Sequence, residues 1–170
     1  DDMFIQVEYP LSIDPLLLPS IMSKKKAVGA NRLLIDIPTG RGAKIKTIGD
    51  ANLLAKDFIE LGCKLEIKTQ CAITYGEQPI GFTIGAALEA REALESITRR
   101  KIISDLEDKA TNIAGILLNM CNIKNGLQLA VEILRSGKAE SKLREIIAEQ
   151  GGKPNLKPED IPIGENQLDI

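Results

Sequence analysis

Apolar positions fall into two rhythms along this chain. Before about residue 100, short apolar runs are punctuated by glycine and proline; after it, apolar positions recur at helical spacing with few breaks. Residues 3–8 (M-F-I-Q-V-E) predict a short strand. The run D-P-L-L-L-P-S-I-M-S-K-K-K-A-V-G predicts a helix, with Asp14 as N-cap, Pro15 at the first helical position and Gly29 as the stop. R-L-L-I-D-I-P (32–38) predicts a strand whose continuous apolar run suits burial on both faces, broken at Pro38 into T-G-R-G-A-K. T-I-G-D from Thr47 is a capping-box relative with Asp50 in place of the usual Glu. The helix it opens runs to about Gly62, with Leu53, Leu54, Phe58 and Leu61 inward. A second strand, about 64–74, carries Leu65, Ile67 and Thr69 on one face and ends in Y-G-E-Q-P-I-G. Further helices are predicted over 84–97, 103–121, 126–136 and 138–149, followed by a Pro- and Gly-rich stretch that reads as a linker or terminal arm.

Strand, glycine loop, helix, strand, loop, helix is the pattern of βαβ units. It predicts an α/β fold: a parallel or mixed sheet flanked by helices, with a helix-rich C-terminal half. Both loops leave the carboxyl ends of their strands, where open α/β sheets bind ligands. P-T-G-R-G-A-K (38–44) can cradle an anion through backbone N–H groups, with Arg41 and Lys44 adding charge, or be a plain turn. It fits neither the Walker pattern nor G-x-G-x-x-G. Asp36, inside an apolar strand, either bonds backbone at the loop or serves chemistry. Glu77 and Gln78 lie in the second loop, and a carboxylate pair of Asp14 with Glu77 is conceivable. Glu89, Arg91, Glu92 and Glu95 read as a solvated helix face.

The first helix carries polar residues in an unexpected place. At about 100° per residue, Leu17, Ile21 and Val28 share a face, and Ser20 and Lys24 fall in its middle, one turn apart. A hydroxyl and an ammonium downstream of the carboxylate at the helix entrance read as a polar site set into an apolar wall. The alternative is that Lys24 snorkels to solvent along its own stem.

Composition narrows the chemistry. The 170 residues, 44% hydrophobic and 27% charged, suit one soluble domain or one and a part. A net charge of −2, scarce aromatics and no tryptophan argue against nucleic acid as a partner. There is no histidine, so proton transfer falls to Asp, Glu, Lys, Tyr or Cys. Cys63, Cys71 and Cys121 are widely spaced and read as reduced core thiols of a cytoplasmic protein. No membrane-spanning run or signal peptide is visible, and the start at Asp1-Asp2 suits a processed or engineered fragment.

Four blocks together carry a resemblance: V-E-Y-P-L-S-I-D-P (7–15), S-I-M-S-K-K-K-A-V-G (20–29), L-L-I-D-I-P-T-G-R-G-A-K-I-K-T (33–47) and C-A-I-T-Y-G-E-Q-P-I-G-F-T-I-G-A-A-L-E-A-R-E-A-L (71–94). They resemble the archaeal AMP phosphorylase branch of the thymidine phosphorylase family, central portion only. A-G-I-L-L-N-M (114–120), S-G-K-A (136–139) and E-I-I-A-E-Q-G-G-K-P (145–154) continue it in order. The resemblance implies a small helical domain beside a large α/β domain, with the active site in the cleft between them. Residues 1–30 would belong to the helical side of the cleft, 31–150 to the α/β domain, and 151–170 to a linker toward an absent C-terminal domain. It implies an enzyme that replaces the base of a nucleoside or nucleoside monophosphate with phosphate, without metal or organic cofactor. Its partners would be phosphate and the nucleoside or nucleotide. Apolar surface left at the faces of the missing domains predicts self-association into a homo-oligomer, most simply a dimer.

By the same resemblance, Asp14 matches the proton donor to the leaving base. Ser20 and Lys44 match base- or nucleotide-contacting positions of the AMP branch, and Lys24 a base-contacting lysine of the thymidine branch. Departures accompany the match. The family's Ser- and Thr-rich phosphate segment lies upstream, so the isolated chain is expected to be inactive. The Asp14–Ser20 spacing is two residues short with Pro19 inserted. Gln6 stands for a usual Arg, Glu77 for a Gly, Ala86 for a Pro, and Cys121-Asn122 for Gly-Gly. A carboxylate at 77 facing the cleft would repel phosphate. The alternative function is a non-catalytic nucleotide-binding or interaction remnant of the fold.

Overall fold

The computed structural model describes residues 14–164, with backbone only for 14 and 15; the strand expected over 3–8 lies outside the described residues. The protein is α/β, and it divides into two compact units between Gln78 and Pro79.

In the first unit, helix α1 (Asp14–Ala27) is followed by strand β1 (Arg32–Thr39), helix α2 (Ile48–Lys64) and strand β2 (Lys68–Tyr75). The two strands pair in parallel, from Arg32 opposite Lys68 to Thr39 opposite Tyr75. Thr47 caps α2 as its sequence promises: its hydroxyl accepts the Asp50 N–H at 3.1 Å and donates to the Asp50 carboxylate at 2.7 Å. β2 starts later than the apolar pattern suggests. Leu65 and Ile67 belong to the turn before it, where Glu66 takes a positive φ of 59°.

The core of this unit is Met22, Ile37, Ala51, Phe58 and Ile67, with Leu18, Ile21, Leu33, Ile35, Leu54, Leu61, Cys71 and Ile73 against it. Burial therefore revises three expectations. α1 turns Leu18, Ile21 and Met22 inward, while Val28 is 79% exposed and Lys24 is exposed. The helix pairs Leu18 with Met22 one turn apart, a stripe set about 100° away from the predicted one. On α2 the inward positions are Ala51, Leu54, Ala55, Phe58, Leu61 and Gly62; Leu53 lies off that stripe and is exposed. Among the described residues β1 is covered on one face: α2 lies over Leu33, Ile35 and Ile37, and Asp36 on the other face is exposed.

The second unit is helical: α3 (Ala86–Ile97), α4 (Ser104–Met120), α5 (Gly126–Arg135) and α6 (Lys138–Glu149), then a 3-10 turn over Pro158–Asp160. Leu94, Ile103, Met120 and Ala130 are its buried apolar residues. Helices α4 and α5 meet glycine to glycine. A Cβ on Gly115 would stand 2.7 Å from Leu127 Cα, and one on Gly126 would run into the Gly115 carbonyl. The segment after α6 returns to this unit: Arg144 donates to the carbonyls of Pro154 and Leu156, Pro158 is buried, and Arg100 pairs with Glu159 at 2.6 Å.

A second lock joins α3 to α4. Glu107 accepts from Arg99 at 2.6 Å and from the Ser96 hydroxyl at 3.2 Å. Burial opposes its ionisation, but the Arg99 hydrogen bond and charge, with the Ile103 N–H and Ser96, outweigh it and hold the carboxyl below the usual range. Cys71, half-buried against the Ala55 carbonyl, has its thiol pushed up by burial, whereas Cys63 and Cys121 are exposed rather than core.

Gly115→Ala is expected to cost about 1–3 kcal/mol, because the obstructing atoms are backbone and cannot rotate away. A urea midpoint matching the parent chain would contradict this. The depressed Glu107 carboxyl binds fewer protons folded than unfolded. Its contribution is thus complete above the unfolded value of about 4.3 and is lost as pH falls through the lower folded value. Urea midpoints measured from neutral pH into that acid range should fall, and Glu107→Gln should flatten part of the fall.

Candidate functional site

The parallel pairing brings two loops to one end of the first unit. After β1 the chain closes a tight turn: Gly40 N–H donates to the Ile45 carbonyl at 3.1 Å, and Ala43 N–H to the Gly40 carbonyl at 3.1 Å. After β2, Gly76 N–H reaches back to the Thr39 carbonyl at 2.8 Å. The loops touch at Gly40, whose φ is 153°; a Cβ there would lie 2.8 Å from the Glu77 nitrogen. Glycine at 40 is thus required twice over, by conformation and by contact.

Glu77 ties the loops together. One of its carboxylate oxygens accepts both the Arg41 backbone N–H at 3.1 Å and the Arg41 Nε–H at 3.2 Å. On the other side of the turn, Lys46 Nζ donates to the Arg41 carbonyl at 2.7 Å. Lys44 lies between them in sequence and is exposed, with no ion-pair partner among the described residues. Beneath the loops, the Thr74 hydroxyl donates to Asp36 at 2.6 Å, and the Thr39 hydroxyl to the Thr74 carbonyl at 3.1 Å. Asp36 is therefore engaged across the strands. The arrangement offers an exposed ammonium on a turn braced on both sides, suited to an anion.

The other candidates sit on α1. Asp14 is the first described residue of α1. Ser20 is half-buried, and its carbonyl accepts the Ser23 hydroxyl at 3.4 Å. Lys24 takes the exposed alternative rather than a place in an apolar wall. Two residues on, Lys26 Nζ donates to the Leu65 carbonyl at 2.8 Å, at the C-cap of α2. Lys24 is thereby near the C-terminal end of α2, while the loop bearing Lys44 leads into its N-terminal end. Asp14 is about 15 Å from Lys24 along the axis of α1, at about 1.5 Å per residue. The structure does not bring Lys24 and Lys44 together.

No family model matches the chain. Curated relatives do. An AMP phosphorylase of Pyrococcus horikoshii is 57% identical over 175 residues, covering 100% of this chain and 35% of its own length. One from Thermococcus sibiricus is 58% identical over 170 residues (97% of this chain, 34% of its own), and one from Methanococcoides burtonii 47% identical over 175 residues (100% and 35%). The chain belongs to the AMP phosphorylase family. It spans about a third of the length of the curated relatives it matches.

This AMP phosphorylase-family chain holds, among its described residues, a polar centre that periodicity hid. Glu92, read as part of a solvated face, is buried at 4% exposure. Its carboxylate accepts the Phe82 N–H at 3.1 Å and the Thr83 hydroxyl at 2.9 Å, with Lys101 Nζ at 3.9 Å. Asp105 accepts the neighbouring Gly81 N–H at 2.9 Å, and that bond, together with the Leu106 N–H, holds its carboxyl below the usual range against slight desolvation. Lys101 also sits 5.1 Å from the centroid of the Phe82 ring. The loop before α3 is thus moulded around Glu92. The usable signal was its surroundings: a Gly-Phe-Thr turn leaves N–H groups that need a nearby acceptor.

Glu92→Leu keeps the volume but strands the Phe82 N–H, the Thr83 hydroxyl and Lys101. It is expected to destabilise the protein by about 1–3 kcal/mol, the cost of an unpaired buried group. An unchanged unfolding free energy would show that the carboxylate is dispensable.

Proposed function

We propose that the protein containing this segment is a pentosyltransferase that phosphorolyses the glycosidic bond of a nucleoside monophosphate, AMP above all. What carries the reading is similarity along this chain to proteins named AMP phosphorylase at 47–58% identity, with Lys44 exposed on the loop at the carboxyl end of β1 and without an ion-pair partner among the described residues. In the proposed reaction a phosphate oxygen bonds to the anomeric carbon as the carbon–nitrogen bond breaks. The bonding pair leaves with the base, and a proton from Asp14 neutralises it. The products are free base and a sugar 1-phosphate. Positive charge grows on the sugar and negative charge on the base, so a donor and cations on the base and nucleotide side favour the transition state over the ground state.

The roles divide by residue. Asp14, at the entrance of α1, is the proposed donor. Ser20 and Lys44 contact the nucleotide. Lys24, exposed near the far end of α2, is proposed for the base only in a form of the protein that brings a partner surface to it. The remaining machinery, the phosphate site included, is proposed to come from the other two thirds of the protein. The protein is further proposed to be a cytoplasmic homo-oligomer. Among the described residues no helix is long and apolar enough to cross a membrane. Exposed Ile48, Leu53, Phe82 and Ile84 are apolar surface suited to association.

Asp14→Asn in the full-length protein tests the reading. Asparagine caps or opens a helix about as well as aspartate, so stability should hold. Adenine release from AMP and phosphate should fall roughly 10²–10⁴-fold in kcat, the usual worth of general acid catalysis. Residues 1–170 alone should release none. Near-normal turnover in the variant would move the donor elsewhere, and no release by the unaltered full-length protein would favour the non-catalytic remnant.

A further inference from the structure

We propose that Glu77 is a positioning residue for Lys44: its carboxylate holds the β1 loop in the shape that sets the ammonium against the phosphate of a nucleotide. The inference rests on the proposed role of Lys44. Glu77 belongs to a different loop from Lys44 and follows the second strand, yet its main hold is on the first loop's backbone, at Arg41 N–H, three residues before Lys44. Lys46 grips the same residue from the other side, through the Arg41 carbonyl. The backbone bearing Lys44 is therefore pinned at both flanks, while Lys44 itself is left exposed and unpaired among the described residues.

Two effects of Glu77 on an anion oppose each other. As a negative charge it cancels Arg41 and weakens anion binding. As an acceptor it fixes the turn and strengthens binding by sparing the ligand the cost of ordering it. The Arg41 side chain is 95% exposed, so the ion pair itself is worth little in water. The bond from a backbone N–H to a charged oxygen is the stronger part, and it is the part that orders the loop. The geometry thus favours position over charge.

The pair Glu77→Gln and Glu77→Ala separates the two in the full-length protein, assayed with AMP and phosphate. The glutamine amide oxygen still accepts the Arg41 N–H without the charge; alanine offers no acceptor. Glu77→Ala is expected to raise KM for AMP about 3–10-fold with kcat nearly unchanged, the loss of a modest surface interaction made equally in ground and transition states. Glu77→Gln is expected to stay within roughly twofold of the parent KM. Lys44→Ala and the unfolding midpoints are measured alongside. An unchanged KM in Glu77→Ala, with KM raised by Lys44→Ala, overturns the positioning role alone. A lowered KM in both Glu77 variants overturns it in favour of charge. A lowered midpoint in Glu77→Ala without a change in KM shows only structural support and overturns it too. An unaffected KM in Lys44→Ala overturns both this inference and the role of Lys44 on which it rests.

Discussion

Parallel, in-register pairing of β1 with β2 is the constraint on which the candidate site depends. Antiparallel strands would have sent their following loops to opposite ends. Parallel strands send both to one end, and the register that sets Thr39 beside Tyr75 brings Gly40 against Gly76 and Glu77. The pairing stands because α2 covers one face of it, with Phe58 and Ala51 sealed against Ile37 and its neighbours. The helix supplies the long crossover that parallel strands need, and Thr47 starts it directly after the loop. Loop, helix and sheet are thus one piece of physics.

The polar residues of the first unit are arranged around that pairing rather than within the core. Asp36 and Thr74 bond across the strands on the face α2 leaves open, and the Glu77 carboxylate closes the top. None of these groups is stranded: among the described residues no buried side-chain nitrogen or oxygen lacks a hydrogen-bond partner. Charges at the loops hold shape, and Lys44 has no ion-pair partner among the described residues. A cation of that kind stays hydrated in the free protein, and its attraction for a ligand acts net of the desolvation that binding brings.

The second unit uses the same device on helices. Buried Glu92 and exposed Asp105 each collect backbone N–H groups of the loop before α3, as Glu77 collects that of Arg41. Carboxylates are suited to this, since an anion accepts several donors at once and such bonds are stronger than neutral ones. Glycine contact between α4 and α5 then fixes the helix packing at backbone distance, leaving side chains little freedom to set it.

The sequence by itself determined most of the described elements. Capping at Thr47, the glycine stop at Gly29 and the helical spacing after residue 100 are local effects, written in neighbouring residues, and they appear where the pattern puts them. The βαβ order was legible for the same reason, and so was family membership, which rests on residue identity along the whole chain. Only tertiary structure decided which face of each element turned inward. On α1 several apolar residues offer competing stripes, and contact with α2 selected Leu18, Ile21 and Met22, leaving Val28 and Lys24 in solvent. On β1 an apolar run equally suits burial on both faces or one, and among the described residues α2 covers one face. Glu92 was misplaced, and the Arg41 partner of Glu77 unforeseen, for a deeper reason. What a carboxylate does depends on which N–H groups reach it, and those come from residues 10 and 36 positions away. Hydrophobic periodicity carries no record of such partners, because it reports the environment along one element and not the backbone that folds across it.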